Sequence, residues 1–220
     1  MIIFENEKFM VVNKPAGTLS QPDRSGHQDL AAQIKEQRQK SAKPLPFLAP
    51  VHRLDRNTSG LILLAKSPEA AKQLTELLQT GKIHRTYLAL VKGFPGQSGT
   101  LDFPLRKDEK KNQVFVDQKG EPAITHFQTL QKLGNSSLVQ VRLETGRSHQ
   151  IRAHFAHAGH ALVGDPKYAK KPWTEIFHRP ALHAVEIQIE GFTPGVWRAP
   201  LPEDFSQLLR KLGGDPAGIP

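Results

Sequence analysis

An uninterrupted apolar run, Leu61-Ile62-Leu63-Leu64-Ala65, follows directly on the polar stretch His52-Arg53-Leu54-Asp55-Arg56-Asn57-Thr58-Ser59-Gly60. A run this short and without alternation reads as a buried strand, and the segment before it as a charged loop clamped onto a rigid element. Function concentrates where a loop is held by such an element. Asp55, flanked by Arg53 and Arg56, is the candidate centre of that loop. The 220 residues can bury a sizeable core as one domain or as two small lobes sharing a sheet. With no internal repeat and no sharp change of composition, a single compact unit is expected.

The rest of the chain reads as strands with a few helices. Ile2-Ile3-Phe4 and Phe9-Met10-Val11-Val12, joined at Glu5-Asn6-Glu7, form a hairpin that enters the loop Asn13-Lys14-Pro15-Ala16-Gly17. Residues 28–38 carry Leu30, Ala31 and Ile34 at helical spacing, followed by a basic, proline-broken linker over 40–46. Ser67, Pro68 and Glu69 start a helix that Gly81 closes. Residues 83–91 form a strand with Ile83, Arg85, Tyr87, Ala89 and Val91 on one face. Residues 93–99 turn the chain, 106–122 read as an exposed charged hairpin, and 123–131 pair with 138–144 around Gly134-Asn135. Ser148 is placed to cap a helix that Gly159 closes, which sets Arg147 at a strand-to-helix corner. A basic and aromatic loop (Lys167, Tyr168, Lys170, Lys171, Trp173), a strand over 181–189 and a helix over 204–212 complete the fold.

Thirty Lys+Arg against 21 Asp+Glu give a net charge of +9 and point to a polyanionic partner. The basic segments 35–43 and 167–179, with Trp173 and Phe177, are candidate phosphate and stacking surfaces. There is no Cys, which excludes disulfides, thiolate nucleophiles and thiolate metal ligands. The N-terminus lacks the pattern of a signal peptide, and no apolar run approaches the roughly 20 residues that span a bilayer. A soluble cytoplasmic protein with no membrane contact, acting as a monomer, is expected.

Five motifs carry a resemblance: Asn13-Lys14-Pro15-Ala16-Gly17; His52 through Gly60; Arg85-Thr86-Tyr87-Leu88-Ala89-Leu90-Val91; Thr145-Gly146-Arg147-Ser148-His149-Gln150-Ile151-Arg152; and Leu182-His183-Ala184. In this order they resemble the RluA family of pseudouridine synthases, over nearly the whole chain. Departures are slight: Arg85 stands where Lys is usual, and Ser148 and Ala153 replace commoner Thr and Val. The exchange at Arg85 matters if the side chain must bend around a phosphate. The resemblance implies an α+β fold with a central, mostly antiparallel or mixed sheet, flanking helices and a central cleft. It implies a stand-alone catalytic domain over 1–212 without the S4-type RNA-binding domain of many members, while residues 213–220 read from the sequence itself as a frayed, disordered tail.

What the resemblance implies chemically is isomerisation of an extruded uridine in a structured tRNA or rRNA loop. The bond from N1 to C1′ breaks, the uracil turns while bound, and C5 joins C1′. No electron or group is imported, so no cofactor is required. Asp55 takes the part of nucleophile or base, Arg147 that of the cation holding it ionised in a dry pocket, and Tyr87 that of the residue that stacks on uracil or shuttles a proton. As a lone strand aromatic Tyr87 reads as core; the motif gives it the other role. Substrate or RNA binding is assigned to Lys14, His52, Arg53, Arg56, Thr58, Arg85, His149, Gln150 and Arg152, with Arg53 able to fill the space left by the extruded base.

Rival readings are weaker. His154, His157 and His160 follow a helix side and its exit with no acidic residue completing a metal set. Glu144 or Asp165 can be imagined beside Asp55 as a glycosidase-like couple, but Glu144 ends a strand and Asp165-Pro166 resembles a structural turn of the family. From another class, a non-catalytic RNA-binding or RNA-chaperone module can use the same basic cleft.

Overall fold

In a computed structural model, the structure describes residues 1–23, 26–41, 44–217 and 219. Part of the 40–46 linker and of the 213–220 tail therefore lies outside the described residues. The chain divides into two compact units, 1–85 with 184–200, and 86–183 with 201–220. No composition change marks this division, because the chain crosses from one unit to the other inside strands.

The first unit begins with β1 (Ile2–Glu5), β2 (Phe9–Lys14), α1 (Leu30–Lys40), β3 (Ala49–Pro50), β4 (Ser59–Ala65) and α2 (Pro68–Gln79), and the chain leaves it within β5 (Ile83–Lys92). The second unit adds β6 (Ser98–Asp102), β7 (Leu105–Asp108), β8 (Gln113–Val116), β9 (Ile124–Leu133), β10 (Ser136–Leu143), α3 (Gln150–His157) and α4 (Trp173–Ile176). The chain returns within β11 (Leu182–Ile189), adds β12 (Val196–Arg198), and ends with α5 (Glu203–Lys211) in the second unit.

In the first unit the hydrogen-bonded order is β1-β2-β4-β11, with β3 also on β4 and β12 on β11. In the second it is β5-β10-β9-β6, with β7 and β8 as a separate ribbon. Every strand pair whose register is described is antiparallel. The α+β class with flanking helices is as expected, and β6 and β12, short strands without a clear alternating pattern, are additions to it.

Strand β4 is buried at every position, as its unbroken apolar run requires. It packs with Phe9, Val11, Ile187, Ile189 and Trp197, and α2 lays Ala70 and Leu74 on the same core. Helix α2 is bounded as its sequence dictates: the Ser67 side chain accepts from Ala70 N–H, Pro68 opens the first turn, and Gly81 with Lys82 returns N–H groups to Leu78 and Leu77. Helix α3 departs from expectation. Its N-cap is His149 in the left-handed region (φ 50, ψ 18), and no side chain caps it there. The carboxamide of Gln150 takes over: its Oε1 accepts from Arg147 N–H and Thr145 Oγ1, and its Nε2 donates to Ile124 O and Thr125 Oγ1. Residues 213–215 are tied down, since Gly214 N–H reaches Leu209 O and the Gln131 carboxamide bonds both N–H and C=O of Asp215.

At the start of β4, Gly60 has φ +113, and a Cβ there would lie 2.2 Å from Ala184 O and 2.5 Å from Ala184 N. Only glycine lets β11 pass at this distance. Gly60→Ala is therefore expected to cost about 3 kcal/mol or more, read as a fall in the urea midpoint; an unchanged midpoint would contradict the close approach.

Candidate functional site

The loop that carries Asp55 is fixed on both sides by side chains that bond to its backbone. Before it, the Ser20 hydroxyl donates to Leu54 O at 2.8 Å and accepts from Leu54 N–H at 3.0 Å. After it, the Lys14 ammonium donates to Arg56 O (3.1 Å), Thr18 O (2.9 Å) and Pro15 O (3.2 Å), which uses all three of its protons. Gly17 N–H also donates to Arg56 O, and Arg56 Nε to Gly17 O, so the two loops are stitched together. Between these fixings Asp55 opens a turn closed by Thr58 N–H on Asp55 O at 3.0 Å. Asp55 is half-buried, while Arg53, Arg56 and Asn57 are exposed. The Asn13-Lys14-Pro15-Ala16-Gly17 motif is thus the cradle of the Asp55 turn.

Lys14, expected at the RNA, is completely buried and bonds backbone. His52, expected there too, is also buried. It is 9% exposed, and its Nε2 accepts from Leu63 N–H at 3.2 Å, which fixes the neutral tautomer with its proton on Nδ1. Burial, assisted by the nearby charge of Arg85, lowers its pKa to about 3. Thr58 is 2% exposed, with its hydroxyl inside. Arg85 is 8% exposed, and its Nε has no hydrogen-bond partner among the described residues.

In the second unit, Tyr87 is 4% exposed and sits opposite Val141 on β10. Arg147 is exposed, and its guanidinium bonds the Glu121 carboxylate at 2.5 Å and Pro122 O at 3.2 Å. His149 Nδ1 lies 3.0 Å from the Tyr168 hydroxyl. Gln150 and Arg152, expected at the RNA, are internal at 2% and 5% exposure: the first braces the corner, and the second makes a two-point pair with buried Asp165 at 2.7 and 2.9 Å.

The rival carboxylates are accounted for, since Asp165 is bound to Arg152 and Glu144 to His126 at 2.5 Å. His154 bonds Thr125 Oγ1 and Phe103 O, and His160 bonds Lys92 O. Among the described residues there is no group of three or more metal-ligating side chains, and no helix long and apolar enough to cross a membrane. In the basic segments, Arg38 pairs with Glu5, Arg179 with Asp204, and Phe177 is a core ring beside Phe205. Ser20, Glu121 and Tyr168 are participants that sequence reasoning missed; only Tyr168 carried a signal, standing three residues past Asp165.

Because His52 resists protonation when folded, the unfolded chain takes up its proton first as pH falls. The contribution is fully present above the ordinary value of 6.5 and is lost progressively between 6.5 and about 3. At pH 5 the loss is about 2 kcal/mol. His52→Gln, which can keep the acceptor for Leu63 N–H, should flatten the fall in unfolding free energy between pH 7 and 5 by that amount; parallel pH profiles would contradict the buried neutral ring.

A family model described as RNA pseudouridylate synthase matches residues 8–157. The "Ribosomal large subunit pseudouridine synthase D" of Haemophilus influenzae is 35% identical over 230 residues, covering 97% of this chain and 71% of that one. Its Pseudomonas aeruginosa counterpart is 36% identical over 236 residues, covering 97% and 72%. Among solved structures, "Human RNA Pseudouridylate Synthase Domain Containing 4" superposes with a TM-score of 0.75 at 23% identity, covering 96% of this chain and 92% of that one, a likeness of fold. The five motifs and these likenesses agree, and the chain belongs to the RluA family of RNA pseudouridine synthases, isomerases that convert uridine to pseudouridine in RNA.

Proposed function

We propose that Asp55 is the carboxylate that acts on the target uridine, and that the RNA is large-subunit ribosomal RNA, as the names of the similar proteins say of them. The observation that carries the reading is the bracing of the Asp55 turn: Ser20 on one side and Lys14 on the other hold its backbone while the carboxylate stays half-buried. A reacting group held this way meets the substrate with little ordering left to do.

The reaction needs glycosidic cleavage, a turned uracil still bound, a new bond from C5 to C1′, and loss of the C5 proton as N1 regains one. Asp55 serves as nucleophile or base in that sequence, Tyr87 acts at the uracil ring, and Arg147 supplies a positive charge to the reaction. Its resting pair with Glu121 is exposed on both sides, and such pairs are worth roughly 0–1 kcal/mol, so Arg147 is released at small cost. Exposed Arg53 and Arg56 beside Asp55 suit phosphate contact or the space left by the extruded base.

Asp55→Asn should lower tritium release from RNA carrying 5-tritiated uridine about 1,000-fold or more, with RNA affinity within about threefold of wild type. Turnover by that variant would remove Asp55 from the chemistry and leave a binding role. Tritium release from a large-subunit ribosomal transcript and none from tRNA is the expected preference; the reverse pattern would overturn the choice of RNA. The working form is taken to be a single chain in the cytoplasm, and sedimentation of the enzyme should give a mass near 24.5 kDa; a mass twice that would contradict it.

A further inference from the structure

Among the described residues, two that are not glycine hold a positive φ: Asn112 (φ 46) and His149 (φ 50). Both are tied to one dipeptide of the second unit. Lys167 Nζ donates to Asn112 O at 2.6 Å, and the Tyr168 hydroxyl lies 3.0 Å from His149 Nδ1. The same hydroxyl accepts from Val114 N–H at 2.8 Å, and Gln113 Nε2 donates to Lys167 O at 3.1 Å, so the β7-β8 ribbon is tied to this dipeptide as well.

The dipeptide is itself held. The Asp165 carboxylate, buried and bound to Arg152, also accepts from the N–H groups of Lys167 (3.0 Å) and Tyr168 (3.3 Å). The Arg152 guanidinium lies 5.1 Å from the Tyr168 ring centroid, and the His149 ring meets that ring edge-on at 5.8 Å. The hydroxyl is therefore an oxygen whose place is fixed by several contacts. His149 is the residue at which the chain turns from Arg147 into α3, and a residue with a Cβ keeps a left-handed conformation only where its surroundings impose it.

We propose that Tyr168 is a positioning residue for Arg147: its hydroxyl holds His149 in the left-handed conformation, sets the path of the Arg147 corner, and fastens the β7-β8 ribbon to that corner. The proposal rests on the reading that Arg147 serves the catalytic carboxylate.

A double-mutant cycle tests it, with single-turnover rates at saturating RNA. Tyr168→Phe should slow the rate about ten- to hundredfold, as a small misplacement does, with RNA affinity within about threefold. Glycine takes φ near 50 without an anchor, so in a His149→Gly background the same change should cost less than about threefold. Equal losses in both backgrounds, or no loss from Tyr168→Phe alone, would overturn the proposal. Amide exchange gives a second readout: Tyr168→Phe should speed exchange at Ser148 to Gln150 while the rest of α3 stays protected, and unchanged exchange there counts against it. Arg147→Ala is measured alongside. Wild-type turnover by that variant would sink the Arg147 reading and the proposal together, whereas its loss beside an additive cycle would sink the Tyr168 proposal alone.

Discussion

A buried ammonium is the interaction on which the Asp55 turn depends. Lys14 is fully enclosed, and the cost of removing a charge from water is offset in part by three carbonyl oxygens that accept from its ammonium. Hydrogen bonds to charged groups contribute about 1.5–3 kcal/mol each, far more than an exposed ion pair. These bonds make the loop path from Pro15 to Thr18 and the position of Arg56 one mechanical unit, with Asp55 carried between Leu54 and Arg56. The Ser20 hydroxyl, bonding Leu54 in both directions, completes the bracket.

The second unit uses the same device with other groups. The Gln150 carboxamide spends both its donors and its acceptor oxygen on backbone and hydroxyl groups of the Thr145–Arg147 corner and of β9. Asp165 joins Arg152 to the turn that bears Tyr168. In both units buried polar side chains hold a loop through its backbone. Such networks fix one geometry for the loop.

Much of the fold was legible because its signals are local. The unbroken apolar run of β4, the Ser67-Pro68 start and Gly81 stop of α2, and the alternation of β9 and β10 each follow from a rule of period or capping. The start of α3 was misread because Ser148 satisfies the capping rule, while the carboxamide of Gln150, reaching back to Arg147 N–H and across to β9, overrides it. The family motifs singled out residues without saying what each does. Lys14, His52, Gln150 and Arg152 were assigned to RNA and are interior, because a polar residue in a motif can touch the substrate or can hold the loop that does. Burial decides between these, and burial is a property of the assembled chain that no short window of sequence carries. Ser20, thirty-four residues from its partner Leu54, left no pattern to read.

The Lys14 bracket grips carbonyl oxygens, which every amino acid possesses. It is therefore indifferent to the side chains at positions 15 and 18 so long as the backbone keeps its course. Arg53, Arg56 and Asn57 are exposed beside it, Arg56 also bonding Gly17 O through its Nε. A lineage that keeps this bracket is thereby free to vary the exposed side chains of the loop while inheriting the course of its backbone intact.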